Sequence, residues 1–173
     1  MKRLVERELR TRFGTFTEML YYDGRSESIA LALGEVAGQE NVLCRIHSAC
    51  VGGHVFNSIE CECAAEMAAA QAAICDAGAG VIVYLDQEGK GNGHLALMES
   101  IAFKLEGHSQ SEAYELAGYS SDARSYTPAA AILRDLGVAS VKLMTGNQGK
   151  VDELASLGIF ASIADPAALA DNA

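Results

Sequence analysis

The chain has 173 residues, 50% of them apolar and 21% charged, with a formal net charge of −10. That length suits one domain with a proper core, and no apolar run approaches the roughly 18 residues a membrane span needs. The acidic balance excludes a duplex nucleic-acid surface, but not a small anionic ligand held by the local field of a pocket.

The start, Met1-Lys2-Arg3-Leu4-Val5-Glu6-Arg7, gives way to more charge and does not read as a secretory signal, so a cytoplasmic protein is expected. Asn41 to Ser48 (NVLCRIHS) alternates as a strand does. Ala64 to Ala77 reads as an alanine-rich helix, with Gly78 placed to stop it. Gly80 to Leu85 (GVIVYL) has the apolar character of a buried central strand. His94 to Leu105 is expected to be helical, and Ser109 with Glu112 has capping-box spacing for a short helix that Gly118 closes. Thr127 suits an N-cap, with Pro128 at the first helical position and Gly137 after the last turn. Val141 to Met144 reads as a strand and Lys150 to Leu157 as a helix. Alternating strands and helices predict a single α/β domain over 1–165, a mixed layered sheet with flanking helices, and a short tail at 166–173.

Five cysteines, an odd number in a chain expected to stay in a reducing compartment, point to metal or catalytic work rather than disulfides. Cys50, Cys61 and Cys63 form C-x10-C-x-C, with the close pair where a loop meets the 64–77 helix. Three protein ligands and one open position let zinc activate water. His47 or His54 could instead close a structural site, and three unrelated buried thiols would give the same spacing. Cys44 and Cys75 read as core residues. Taken alone, Arg124 reads as a surface loop arginine, Glu88 as a turn residue and Lys150 as a solvated lysine at a helix start.

Arg45-Ile46-His47-Ser48-Ala49-Cys50 followed by Ser58-Ile59-Glu60-Cys61-Glu62-Cys63 resembles the zinc segment of the GTP cyclohydrolase II family, R-V-H-S-E-C and then S-L-R-C-D-C-G. Tyr84-Leu85-Asp86-Gln87-Glu88-Gly89-Lys90-Gly91-Asn92-Gly93 is similar to Y-x-R-Q-E-G-R-G-I-G, and Asp122-Ala123-Arg124-Ser125-Tyr126 to D-x-R-D-[YF]. Ile132 to Val138, Met144 to Asn147 and Leu9 to Phe16 continue the likeness in the same order, over nearly the whole chain. The resemblance implies a zinc enzyme that releases pyrophosphate from GTP, opens the imidazole ring at C8 and expels formate. It implies zinc on Cys50, Cys61 and Cys63, Arg124 acting at the α-phosphate with Asp122 orienting it, and a nucleotide pocket containing Arg45, Glu88, Gly89 and Lys90. Because an arginine is normally cationic, transition-state stabilisation is the alternative role for Arg124. Glu66 matches a base-reading position, while Thr145 and Lys150 match positions near the phosphates. Mg2+ accompanying the triphosphate and a homodimer are implied in the same way.

Departures fall within these motifs. Glu60 and Asp86 reverse an arginine charge, Lys90 replaces arginine and Glu66 replaces glutamine. Ala49 stands for glutamate, Ser125 for aspartate, and Gly146 and Gln148 for asparagine and proline. Ile101 stands where the family has a tyrosine involved in ring opening, and isoleucine has no polar group to replace it. Each lost arginine–phosphate contact is worth roughly 1.5–3 kcal/mol when well formed. Three readings therefore remain: a guanine-nucleotide cyclohydrolase, a divergent hydrolase of a less charged heterocycle, and an inactive zinc-stabilised nucleotide-binding protein.

Overall fold

The computed structural model describes residues 1–164, so the tail expected at 166–173 lies outside the described residues. Its strands are β1 (Lys2–Arg10), β2 (Thr15–Tyr22), β3 (Glu27–Leu33), β4 (Val42–Ser48), β5 (Gly80–Leu85), β6 (Ser140–Leu143) and β7 (Phe160–Ile163). They form one mixed sheet in the order β1-β2-β3-β5-β4-β6-β7. The first three make an antiparallel meander that ends against β5, whereas β5, β4, β6 and β7 run parallel. The expected α/β layered fold is observed. The meander was not among the expected strands.

Helices cover both faces. α2 (Cys63–Ala77) lies on one side, where Ala70 and Ile74 pack with Phe16 and Ile82. α5 (Thr127–Asp135) and α6 (Gln148–Ser156) cover the other, packing Ile132, Leu133 and Leu154 against Val81, Val83 and Leu85. β5 thus sends alternate side chains to opposite cores, which is why its sequence is apolar without a polar phase. Gly78 adopts φ of +75° and ends α2, as its position predicted.

α3 (His94–Leu105) and α4 (Gln110–Leu116) complete the helices beside the site, and α4 opens with the expected capping box between Ser109 and Glu112. One boundary differs from expectation: Tyr126, not Thr127, is the N-cap of α5. The Ser125 hydroxyl accepts the Thr127 N–H at 3.3 Å, so the chain has already turned into the helix at Thr127. Cys44 is fully buried in the sheet, and Cys75 is half-buried against the core beneath α2.

Candidate active site and metal centre

The parallel strands β5, β4 and β6 point their C-terminal ends toward one edge of the sheet, where ligands of such sheets commonly bind. The end of β4 leads to Cys50, which caps the short helix α1 (Val51–His54) and accepts the Gly53 N–H on its sulfur at 3.3 Å. Cys63 is the first residue of α2, and Cys61 lies two positions earlier. All three sulfurs lie within 4.8 Å of one another, with those of Cys50 and Cys61 3.6 Å apart. Among the described residues no histidine or carboxylate joins them in that group.

The fit to a metal can be judged at Gly53. A Cβ there would stand 3.0 Å from the Cys61 sulfur and 3.4 Å from that of Cys50, so glycine leaves the space between the thiols clear. Burial pushes the Cys50 and Cys63 thiols up. Burial also acts against Cys61, but hydrogen bonds from the Cys63 backbone and side chain outweigh it and hold that thiol below its ordinary value. Three thiol donors with a free side suit a tetrahedral thiophilic ion such as zinc.

The sulfurs form part of the lining of a cavity of about 600 Å³. Arg45, Lys90, Lys104, Arg124 and Lys150 contribute its cationic groups. Arg45 donates to the Met144 carbonyl at 2.7 Å, to His47 Nδ1 at 3.2 Å and to the Glu66 carboxylate at 2.5 Å. Lys150 is buried, with Nζ 3.2 Å from the Ile46 carbonyl oxygen and 5.6 Å from the centre of the Tyr126 ring. The solvated position expected for an isolated helix-start lysine is therefore incorrect, because α6 packs its first turn over the end of β4. Burial, followed by the charges of Arg45 and Arg124, lowers the Lys150 pKa to about 8.

Arg124 is mostly buried and chelates Asp122 through Nε and NH2. The hydrogen bond to Asp122 raises the arginine pKa despite desolvation, while the same contact holds Asp122 low against its own burial. Asp122 itself stands behind the arginine and does not line the cavity. Glu88, Gly89 and Lys90 enter from the turn after β5, where Gly89 and Lys90 have φ of +61° and +53°. Lys90 donates to the Ser111 hydroxyl at 2.7 Å. One Glu88 oxygen accepts the Val51 N–H at 2.8 Å; the other is buried without a hydrogen-bond partner among the described residues. Glu88 is thus a cavity group and not simply a turn residue.

Among the expected site residues, Thr145 is apart from this cavity: its hydroxyl accepts the Asn147 N–H at 3.1 Å in the turn before α6. Sequence reasoning missed Gln110 and Tyr114 on α4, and His94, Met98 and Lys104 on α3, all of which line the cavity. The capping box located α4, but only its packing against α3 turns these side chains toward the thiols.

A family model described as GTP cyclohydrolase II matches residues 2–162. GTP cyclohydrolase-2 of Streptomyces coelicolor is 43% identical over 162 residues, covering 92% of this chain and 73% of that protein. The riboflavin biosynthesis protein RibBA of Bacillus subtilis is 41% identical over 167 residues, covering 92% of this chain and 42% of that protein; the chain therefore spans less than half of this second relative. Among solved structures, RibBX from A. baumannii, a two-domain 3,4-dihydroxy-2-butanone 4-phosphate synthase, aligns with a TM-score of 0.48 at 20% identity, over 84% of this chain and 34% of that one. By the extent of the sequence match the chain belongs to the GTP cyclohydrolase II family, whose members are hydrolases acting on C–N bonds of the guanine imidazole ring.

Proposed function

We propose that this chain is a zinc-dependent cyclohydrolase that opens the imidazole ring of a guanine nucleotide, with release of formate and pyrophosphate. The observation that carries this reading is that the three thiols, Lys150, Arg124 and the unpartnered Glu88 oxygen belong to one cavity. Zinc on Cys50, Cys61 and Cys63 would supply Lewis-acid activation of water. Lys150 and Arg45 bind the phosphates, accompanied by Mg2+. Arg124, kept cationic by Asp122, stabilises charge developing at the α-phosphate rather than attacking it. Glu88 accepts from an N–H of the base, and Gly89 and Lys90 shape the wall beside it. Thr145 retains only an outer role near the phosphate end. A homodimer, a cytoplasmic setting and no nucleic-acid or membrane partner belong to the same reading. No helix among the described residues is long and apolar enough to cross a membrane.

A second reading has its own support: both arginines of the cavity are already paired with carboxylates. Glu66 neutralises Arg45, Asp122 pairs with Arg124, and Glu60 adds another negative group to the lining. Such a pocket suits a less charged N-heterocycle opened by the same chemistry. The test is to incubate zinc-loaded protein with GTP and Mg2+, in parallel with GMP, guanosine and free heterocycles, and to follow formate and pyrophosphate. Both products from GTP establish the first reading. Ring opening of another compound alone establishes the second. Binding without any product leaves a zinc-stabilised nucleotide-binding protein and removes both hydrolase readings.

A further inference from the structure

One phenol in the cavity has no task in this reaction. Tyr114 is 1% exposed, lines the cavity from α4, and is the cavity's only tyrosine among the described residues. Its hydroxyl lies over Gly89, where an added Cβ would come within 3.3 Å of it. Burial and the nearby charges of Glu88, Arg124, Cys50 and Asp122 act on this phenol, and it makes no hydrogen bond to a described residue. Gly89 directly follows Glu88, whose buried Oε1 makes no hydrogen bond to a described residue and has His94 Nδ1 at 3.6 Å. A donor and an acceptor, neither hydrogen-bonded to a described residue, therefore meet the same segment of cavity wall. α3 contributes the apolar Leu97, Met98, Ile101 and Leu105 to the wall, with His94 and Lys104 as its polar groups.

We propose that Tyr114 is a catalytic residue of this site, donating its hydroxyl hydrogen bond to the ring nitrogen that departs when the C–N bond is hydrolysed. The proposal rests on the hydrolase reading above. In that step the oxygen of water bonds to carbon, the C–N electron pair passes to nitrogen, and nitrogen gains a proton. The Tyr114 O–H stabilises the nitrogen while its charge grows, and solvent supplies the net proton. Burial first, and then Glu88, raises the phenol pKa to about 12, so the donor is present throughout the neutral range. The Glu88 oxygen accepts from an N–H of the same substrate and orients it, so that the departing nitrogen faces Tyr114 as its charge grows.

Tyr114→Phe removes one oxygen and keeps the ring. With the substrate that the wild type opens, formate release falls about 100-fold, within the range of lost acid–base assistance. KM and zinc content stay within about twofold, a split expected of a contact made only in the transition state. Fluorotyrosine placed at 114 gives a second measurement that does not depend on the Phe variant folding. Its more acidic phenol moves the alkaline limit of formate release, measured at saturating substrate so that the Lys150 effect on KM does not enter, to lower pH. Formate release from Tyr114→Phe at the wild-type rate, or an alkaline limit unmoved by fluorotyrosine, overturns the role of Tyr114 alone. A wild type that releases no formate from any substrate overturns it together with the hydrolase reading.

Discussion

His47 and His54 meet Nε2 to Nε2 at 2.9 Å, and Arg45 decides which ring donates. The arginine Nε–H points at His47 Nδ1, so His47 carries its proton on Nε2 and gives it to His54. Burial, followed by the Arg45 charge, lowers the His47 pKa to about 3, which keeps that ring neutral. The pair ties β4 to α1, the helix that Cys50 caps. Replacing His54 with Phe keeps a ring but removes the acceptor. Zinc affinity, measured by competition with a chromophoric chelator, should fall on the order of 10-fold. Undiminished affinity would mean that the histidines do not position Cys50.

Gly53→Ala tests the space between the thiols more directly. Its methyl would stand 3.0 Å from the Cys61 sulfur and 3.2 Å from the Cys63 Cβ, so the loop must shift by a few tenths of an ångström to admit it. Overpacking of this kind costs about 1–3 kcal/mol. Because the displaced atoms belong to the proposed metal ligands, the loss should appear as zinc per chain after dialysis, with the far-ultraviolet circular dichroism unchanged. Full zinc occupancy would show that the loop yields freely.

Lys150 makes substrate binding depend on pH. Its folded pKa of about 8 lies below the ordinary lysine value of 10.5, so the folded chain gives up this proton first as pH rises. Binding of an anionic substrate should weaken above about pH 8, seen as a rise in KM. Lys150→Arg should flatten that rise, since guanidinium stays charged. The stability effect has the opposite sign: between these two values the unfolded chain holds more protons, so stability increases with pH. Urea unfolding at several pH values would detect it, and Lys150→Met should abolish that slope.

The core opposite α2 can be weakened without touching the cavity. Leu133 has no exposure and packs beneath α5 with Ile132 and Val83. Leu133→Ala should cost about 2–5 kcal/mol in urea unfolding. Its zinc affinity should match the wild type. A matching loss of zinc would mean that this core and the thiol cluster unfold as one unit.

Short-range signals were legible in the sequence. The spacing of Cys50, Cys61 and Cys63 brought the metal cluster within reach of inference because one loop and one helix start carry all three. Gly78 and the Ser109–Glu112 box worked for the same reason: each acts within a turn of its own helix. Long-range placement was not legible. The order β3-β5-β4 inserts a later strand between two earlier ones, and no local pattern encodes that. In β2 the buried positions change parity, because Met19 and Tyr21 enter one core and Phe16 the other, and Glu18 on the Phe16 side pairs with Arg7 across the hairpin. Lys150 was reached only through its match to a phosphate position, and Tyr114 was missed. A lysine read as solvated is buried by α6, and a helix tyrosine with no motif around it enters the site through packing of α4 on α3.

The left-handed backbone at Lys90 carries a further consequence. Glycine would hold φ of +53° at little cost, whereas a side chain there raises the energy of the turn by roughly 1 kcal/mol. A chain selected for rigidity alone would place glycine at this position, as it does at the neighbouring Gly89 and Gly91. A lysine in that turn exchanges conformational ease for a charged side chain on the cavity wall, tied to Ser111. Robustness and affinity should therefore pull in opposite directions when this loop is engineered.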